Sequence, residues 1–235
     1  MAHSIDSYKL KVENLEKSFT LHNRGGVRLL GFDKINFSLQ KGQLLAFSGP
    51  SGAGKSSILK TIYRTYLADC GRVLFSRSDG TEVDLISCTE SKVLDLRRRE
   101  IGFVTQFLKI LPRISALDAV AQPLIEIGTA EEDARRQARE MLTRLGIREE
   151  LFELSPLTFS GGEQQRVNIA RGIIAPKELI LLDEPTASLD QKSSSVVLEL
   201  LGDLKKRGIA MIAIFHDPRK IEQVADLSVC IRRSE

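Results

Sequence analysis

The amino-acid sequence predicts an α/β fold in which a mixed β-sheet carries an antiparallel β edge and an inserted α-helical segment. Three patterns lead to this prediction. Short apolar runs, which are typical of buried parallel strands, lie at 44–47, 179–182 and 209–215. Apolar and polar residues alternate along 8–15 and 32–39, as expected for strands with one buried face. Between 107 and 159 the apolar residues recur instead at helical spacing.

The composition is that of an ordinary soluble domain. The chain has 235 residues, a formal net charge of +3, 42% hydrophobic and 28% charged residues, which predicts a single domain spanning 1–235. The charge is too small and too evenly mixed to predict nucleic-acid binding. The apolar runs are too short to span a bilayer, the N-terminus lacks a signal-peptide layout, and the three cysteines suit neither disulfide pairing nor metal binding. We therefore expect a cytoplasmic protein without direct membrane insertion.

The two alternating strands at the start of the chain are predicted to form the antiparallel edge, joined by a turn at 23–26. Phe19 lies in this region. Its ring can stack on the adenine of a bound nucleotide or pack as a core aromatic residue, and the sequence favours neither interpretation.

Residues 49–56 fit a phosphate-binding pattern of two glycines separated by four residues and followed by Lys and a hydroxyl residue: Gly49-Pro50-Ser51-Gly52-Ala53-Gly54-Lys55-Ser56. An apolar strand precedes the loop, and a helix is predicted from its end through Leu67. The backbone amides at the helix N-terminus and the Lys55 charge are expected to hold the phosphates of a nucleoside triphosphate. Ser56 is the predicted Mg²⁺ ligand, and Ser57 is a weaker candidate.

The next segment is predicted to hold a hairpin turning at Asp79-Gly80, a short helix, and a strand at 101–104. The helix ends in three arginines, at 97–99. They can bind a phosphate or an acidic partner, but a solvated helix end is the interpretation that the sequence favours. Gln106 comes directly after the strand, and its amide can coordinate Mg²⁺ or orient water.

The inserted helical subdomain, at about 107–159, is predicted to contain two helices. The first has an apolar stripe broken by Pro123. The second is expected to begin with a capping box formed by Thr129 and Glu132 and to end at Gly146.

Ser160-Gly161-Gly162 precedes another predicted helix. A hydroxyl and two glycines at a helix N-terminus can bind an anion, and the alternative is a plain N-cap. The apolar strand 179–182 then ends in Asp183 and Glu184, a pair suited to holding Mg²⁺ and to polarising the attacking water, respectively. His216 comes after the strand 209–215 and is interpreted as a γ-phosphate sensor. Because parallel strands end at one edge of a sheet, these residues should meet at the phosphate loop.

These motifs resemble those of the ATP-binding cassette (ABC) ATPases along almost the whole chain. The phosphate loop, Gln106, the stretch Phe159-Ser160-Gly161-Gly162-Glu163-Gln164, Asp183-Glu184, Ala187-Ser188-Leu189-Asp190 and His216 occur in the order of that family. The resemblance implies a P-loop NTPase of ABC type that hydrolyses ATP with Mg²⁺. It also implies a head-to-tail dimer with a second cassette, either itself or a related subunit. Each ATP would then lie between one phosphate loop and the other subunit's Ser160, Gly161, Gly162, Glu163 and Asp190. Phe159 and Glu163 stand where the family usually has Leu and Gln.

A narrower resemblance concerns 106–117, 158–172 and 214–217, which are similar to the ATPases of the bacterial carbon–phosphorus lyase system for phosphonate degradation. It implies a subunit that supports formation of ribose 1-phosphonate 5-triphosphate from ATP and phosphonate, bound to a soluble phosphonate-pathway complex. The same entrance sequence is similar to cassettes of lipoprotein-release and macrolide-export transporters, so transport is the alternative. A nucleotide-gated assembly module with incidental turnover is a third hypothesis.

The surface expected to contact the partner is the entrance of the helical subdomain, from Phe107 to Leu117. The predicted apolar anchors are Leu108, Ile110 and Leu111, and the predicted charged rim is Lys109 and Arg113.

Overall fold

The computed structural model describes residues 8–21, 26–110 and 112–232, in which two sheets are flanked by helices. A four-stranded antiparallel sheet has the order β2-β1-β4-β5, and a five-stranded parallel sheet has the order β6-β7-β8-β3-β9. This arrangement confirms the predicted fold class. The predicted turn at 23–26 and the anchor Leu111 lie wholly or largely outside the described residues.

The strands are β1 (Leu10–Leu21), β2 (Val27–Leu39), β3 (Leu44–Ser48), β4 (Cys70–Ser76), β5 (Glu82–Asp84), β6 (Ile101–Val104), β7 (Leu179–Leu182), β8 (Ala210–Ile214) and β9 (Leu227–Cys230). The helices are α1 (Lys55–Ile62), α2 (Glu90–Arg99), α3 (Ala116–Glu126), α4 (Glu131–Arg144), α5 (Gly161–Ile173), α6 (Gln191–Lys206) and α7 (Pro218–Val224). Single 3₁₀ turns lie at Glu149–Leu151 and Pro156–Thr158.

The parallel sheet separates two apolar cores. Along β7, Ile180 and Leu182 face the core built with α3 to α6, whereas Leu179 and Leu181 face the core shared with α1 and the antiparallel sheet. Successive strand residues point to opposite faces, so a strand covered on both sides must be apolar throughout, as β7 is. The apolar runs seen in the sequence are therefore the central strands.

The parallel pairing brings the carboxyl ends of four strands to one edge. β3 pairs with β8, β8 with β7, and β7 with β6, all in parallel. The phosphate loop comes after β3, Gln106 after β6, Asp183 after β7 and His216 after β8. The predicted hairpin is also present, since β4 and β5 pair antiparallel and the Asp79 carboxylate accepts a hydrogen bond from the Thr81 backbone N–H at 2.9 Å.

The helix after the phosphate loop is shorter than predicted. α1 ends at Ile62, because Arg64 adopts a left-handed backbone conformation with φ +65° and turns the chain away. Tyr66 and Leu67 consequently lie beyond the helix, and the Leu67 side chain is exposed.

Pro123, which interrupts the predicted apolar stripe, lies inside α3, where it removes one backbone N–H donor near the helix end without breaking the helix. The capping box predicted for the next helix is wrong. The cap of α4 is Ala130, with no side-chain hydrogen bond. Thr129 is engaged in closing α3, since its N–H donates to the Leu124 carbonyl at 3.0 Å. The predicted stop at Gly146 is confirmed by its φ of +71° directly after the helix cap.

Among the described residues, none of the helices has both the length and the apolar character needed to cross a membrane.

Candidate functional site

The phosphate loop joins β3 to α1 and depends on two glycines. Gly49 and Gly54 have φ of +126° and +92°. A Cβ at Gly49 would lie 2.2 Å from the Ile231 carbonyl oxygen, and a Cβ at Gly54 would lie 2.1 Å from the Gly31 carbonyl oxygen. Other residues are therefore excluded both by backbone conformation and by space. α1 begins directly after Gly54, so the free amides of its first turn face the loop.

Lys55 lies folded over this loop. Its side chain is only 5% exposed, and Nζ donates to the carbonyl oxygens of Gly49 and Pro50, each at 2.8 Å. Burying an ammonium group is costly unless it is paired, and two carbonyls compensate only part of its charge. The arrangement holds a positive charge at the centre of the loop, where an anion would complete the compensation.

Ser56 and Asp183 form the second element of the site. The Ser56 hydroxyl donates to Asp183 Oδ1 at 2.8 Å, and Asp183 is 2% exposed. Burial raises the pKa of the Asp183 carboxyl, and the Ser56 hydrogen bond opposes this only in part. A hydroxyl beside a desolvated carboxylate is a donor set that suits a hard divalent cation, so these residues fit the predicted Mg²⁺.

Glu184, His216 and Gln106 converge on one another. His216 Nε2 lies 2.7 Å from Glu184 Oε1, and Gln106 Nε2 donates to Glu184 Oε2 at 3.2 Å. The three residues follow β7, β8 and β6, whose carboxyl ends lie at one edge of the parallel sheet. Glu184 has φ +53°, an unfavourable conformation for a residue with a side chain.

A cavity of about 480 Å³ lies along the loop and reaches the catalytic candidates. It is lined by Phe19, Leu29, Leu30, Gly31, Ser51, Gly52, Gly54, Lys55, Ser56, Ser57, Glu184 and His216. Phe19 lines one end and packs edge-on against Tyr66, with ring centroids 5.2 Å apart. It is half-buried, so stacking on adenine stays a prediction. Leu29 and Leu30 lie beside it and are both 48% exposed; neither was predicted from the sequence.

The stretch Ser160 to Glu163 does not line this cavity. Within one chain it forms a capping box: the Glu163 carboxylate accepts from the Ser160 N–H at 3.0 Å and from its hydroxyl at 2.6 Å. These hydrogen bonds lower the pKa of Glu163. Asp190 likewise caps α6 by accepting from the Ser193 N–H at 2.8 Å. Within one chain Ser160 is thus an N-cap, which was the alternative interpretation, and it lies outside the cavity beside the phosphate loop.

Two buried polar side chains on α5 were also not predicted from the sequence. Gln165 Nε2 donates to the Pro185 carbonyl at 3.3 Å, and Asn168 Nδ2 donates to the Thr105 carbonyl at 2.5 Å. Each accepting carbonyl lies next to a catalytic candidate in the sequence. The only available signal was a pair of amides interrupting the apolar stripe of a helix.

The sequence matches the family profile described as "ABC transporter" over residues 32–187, which is more than half of the chain. The chain belongs to the ABC transporter family. An uncharacterized ABC transporter ATP-binding protein of Bacillus subtilis, YvrO, is 34% identical over 96% of this chain and 94% of its own length. The lipoprotein-releasing system ATP-binding protein LolD of a Shewanella species is 35% identical over 89% of this chain and 87% of its own.

Solved structures of the ABC transporter cassette MJ0796 are similar throughout. Its dimeric structure superposes with a TM-score of 0.86 at 27% identity, covering 95% of this chain and 94% of that one. A dimeric post-hydrolysis state of the same cassette, bound to ADP and Pi, superposes with a TM-score of 0.85. As an ABC ATPase, this chain binds ATP with Mg²⁺ and hydrolyses it. Neither relative's name refers to phosphonates, so the narrower resemblance, to the PhnL subunit of that pathway, finds no support in them.

Proposed function

We propose that this chain is the ATP-hydrolysing subunit of an ABC transporter of the lipoprotein-release or macrolide-export type. The observation that carries the proposal is its likeness, over nearly its whole length, to ATP-binding proteins that are named for transport. The sequence motifs alone put phosphonate degradation first and transport second. The relatives reverse that order.

The roles of the site residues follow from their positions. Lys55 and the loop amides hold the phosphates, while Ser56, Asp183 and Gln106 are the proposed Mg²⁺ ligands. Mg²⁺ held by these residues would neutralise part of the charge on the β and γ phosphates. Glu184 accepts the proton of the attacking water, and His216 and Gln106 hold its carboxylate in position from either side.

The composite site is also a proposal. The capping box that holds Ser160 and Glu163 leaves the adjoining Gly161 open, since a Cβ there would meet no atom within 4 Å. The helix N-terminus is thus accessible to an anion held by another subunit. The dimeric structures of MJ0796 support pairing of two cassettes.

A groove at the entrance of the helical segment is the proposed docking surface for the membrane partner. It has a volume of about 780 Å³. It is lined by Lys109, Ile110, Arg113, Ile114, Asp118, Ala119, Gln122, Glu126 and Arg171. Phe107 precedes it and is 70% exposed. Arg113 has φ +72°, a strained conformation of the kind often kept at binding sites.

Two of the apolar residues in the predicted contact surface are taken up by the core instead. Leu117 is fully buried in the core, and Leu108 packs against the same core. Neither is available as an anchor. Phe107 and Ile110 therefore supply the apolar contact, with Lys109 and Arg113 as the charged rim.

The proposal is tested by isolating the native protein through an affinity tag from solubilised membranes and identifying the proteins it binds. We expect an integral membrane permease. Arg113→Glu should reduce its recovery at least fivefold, whereas the control Arg207→Glu, an exposed change outside the groove, should not. Recovery of a soluble phosphonate-pathway complex, together with loss of growth on a phosphonate in a deletion strain that still takes the compound up, would overturn the transport proposal in favour of the phosphonate role.

A further inference from the structure

We propose that Arg166 is a positioning residue, which holds two separate stretches of the chain in the arrangement that the proposed composite site requires. The stretches are 160–163, at the start of α5, and 187–190, which comes directly before α6. This inference rests on the proposed pairing of two cassettes. It goes beyond that proposal because the sequence motifs assign no role to Arg166.

The two stretches are distant in the sequence but adjacent in the fold. Most of α5, the strand β7 and the acidic pair that follows β7 lie between them in the chain. A Cβ at Gly162 would nevertheless lie only 3.2 Å from the Ser188 carbonyl oxygen. Ser160, Ser188 and Asp190 are all exposed, so both stretches are available on one part of the surface of the chain.

The Arg166 side chain bridges from α5 to α6. Its Nη1 donates to the Ser193 hydroxyl oxygen at 2.9 Å. Ser193 in turn is bonded twice to Asp190, the N-cap of α6: its N–H donates to Oδ1 at 2.8 Å and its hydroxyl donates to Oδ2 at 3.0 Å. Because Arg166 lies less than one turn after Glu163, a side chain anchored beside the first stretch reaches the cap that ends the second.

The charge of Arg166 acts on the capping carboxylates of both helices. Among the described residues it forms no direct ion pair with either of them. Hydrogen bonds from Ser160 lower the pKa of Glu163, those from Ser193 lower the pKa of Asp190, and the positive charge of Arg166 adds to both shifts. Arg166 therefore favours the ionised carboxylates that cap α5 and α6.

The Nε atom of Arg166 adds an independent observation. It is buried and has no hydrogen-bond partner in the part of the chain that the structure describes. An unpaired buried donor costs free energy, and an arginine on a helix surface ordinarily avoids that cost by extending into water. The position of Arg166 is therefore not the one that satisfies its own donors best, which indicates that the contact with Ser193 imposes it.

The expected role concerns the pairing of chains rather than nucleotide binding by one chain. Neither Arg166 nor Ser193 lines the cavity beside the phosphate loop. In the proposed pair, the nucleotide held by one chain would meet both stretches of the other at once, and a misplacement of about 1 Å can cost roughly 10²-fold. Loss of the bond between Arg166 and Ser193 leaves the backbone caps in place but removes a tie between the two stretches.

The test uses full-length chains that also carry Glu184→Gln, so that hydrolysis does not remove the bound ATP. Arg166→Met keeps the length of the side chain but loses its donors and charge, and it should raise the dimer dissociation constant with ATP and Mg²⁺ at least tenfold in analytical ultracentrifugation. Arg166→Lys retains a donor and a charge and should restore most of the pairing. In both variants the ATP affinity of dilute single chains should change less than twofold, and circular dichroism should show an unchanged fold.

A change at the other end of the bond provides a second, independent variant. Ser193→Ala should weaken pairing in the same direction as Arg166→Met. Ser195→Ala is the matched control, because this hydroxyl donates to the Gln191 carbonyl of its own helix at 3.0 Å, and it should pair as tightly as the parent chain. Since Arg166→Met already removes the bond, adding Ser193→Ala to it should weaken pairing less than twofold further.

The outcomes separate this inference from the proposed composite site. If the parent chains pair with ATP but Arg166→Met and Ser193→Ala pair equally tightly, the positioning role is wrong and the composite site stands. Fully additive effects of the two changes, or an equal loss of ATP affinity in single chains, would also overturn the positioning role. If the parent chains do not pair with ATP at all, the composite site between identical chains fails, and this inference fails with it.

Discussion

His216 Nε2 lies 2.7 Å from Glu184 Oε1, while the backbone of Glu184 is held at φ +53°. A non-glycine residue in this backbone conformation destabilises the fold by roughly 1 kcal/mol or more, and the conformation persists only where the surrounding structure imposes it. Gln106 donates to the other carboxylate oxygen at 3.2 Å. Each oxygen of the Glu184 carboxylate is therefore held by one neighbouring side chain, and Glu184 lines the cavity beside the phosphate loop.

We expect Glu184→Gln to lower ATP turnover by about 10²–10⁴-fold, because the amide keeps the shape but cannot accept the proton of the attacking water. ATP binding should persist, and an ATP-bound dimer should accumulate on size-exclusion chromatography. Steady-state phosphate release measures turnover. The control is Glu199→Gln on the exposed face of α6, which should behave as wild type. Normal hydrolysis by Glu184→Gln would assign the proton acceptor elsewhere.

Lys55→Ala should abolish detectable ATP binding while leaving the protein folded. The lysine Nζ donates to two loop carbonyls, each at 2.8 Å, and the side chain belongs to neither apolar core, so its removal takes a positive charge from the phosphate site without opening a core. Equilibrium titration with a fluorescent ATP analogue reports affinity, and circular dichroism reports the fold. Lys192→Ala on exposed α6 serves as the control. A folded Lys55→Ala chain with wild-type affinity is inconsistent with the phosphate-loop assignment.

Asp183→Asn should stabilise the nucleotide-free protein and remove its Mg²⁺-dependent ATP affinity. Because burial raises the pKa of this carboxyl in the folded state, its ionised form destabilises the fold at neutral pH. The amide oxygen still accepts from Ser56. We expect a gain on the order of 1 kcal/mol, or ~2–4 °C in Tm.

The pH dependence of that gain provides the check. Below the ordinary aspartate pKa of ~3.9, both folded and unfolded carboxyls are protonated and the Tm difference between variant and wild type should vanish. It should grow as the pH rises from the ordinary pKa to the raised folded pKa and level off above it. A wild-type protein that is more stable than Asp183→Asn at neutral pH would contradict the desolvation argument.

Mixing Lys55→Ala with Gly161→Asp should restore part of the ATP-dependent dimerisation that each variant lacks alone. The first variant lacks a working phosphate loop and the second a working Ser160-Gly161-Gly162 stretch, so a mixed pair retains one intact composite site. The Asp side chain should fit within its own chain, because nothing lies within 4 Å of a Cβ at Gly161. Analytical ultracentrifugation at several mixing ratios measures the recovery. Its complete absence would count against a homodimer.

Much of the site could be predicted from the sequence because parallel strands bring the residues at their carboxyl ends to one edge of the sheet. Once β3, β7 and β8 are identified by their apolar runs, Lys55, Asp183 and His216 must meet there. The phosphate loop is equally predictable, since Gly49 and Gly54 are required by backbone geometry that no other residue adopts there.

Tertiary contacts between residues far apart in the sequence were harder to predict. Gln165 and Asn168 are polar residues on an apolar helix face, and only tertiary packing identifies the carbonyls they satisfy. Leu29 and Leu30 fall between the predicted turn at 23–26 and the predicted strand at 32–39, where no role was predicted for them, and they line the cavity. The cap predicted at Thr129 failed because its N–H was already used in closing the preceding helix. The sequence pattern around Thr129 does not show that the end of α3 competes for the same backbone N–H.

Helix α5 is hydrogen-bonded to the catalytic loops in its middle, and its N-terminus at Ser160 is exposed. Asn168 and Gln165 bond it to the loops that carry Gln106 and Glu184, and breaking either buried hydrogen bond costs about 1–3 kcal/mol. Neither loop can therefore shift by much unless α5 shifts with it. A rearrangement of these loops that keeps both hydrogen bonds moves the Ser160 end of the helix as well. In the proposed pair of subunits, α5 thus links the catalytic loops of one subunit to the surface that would contact the other.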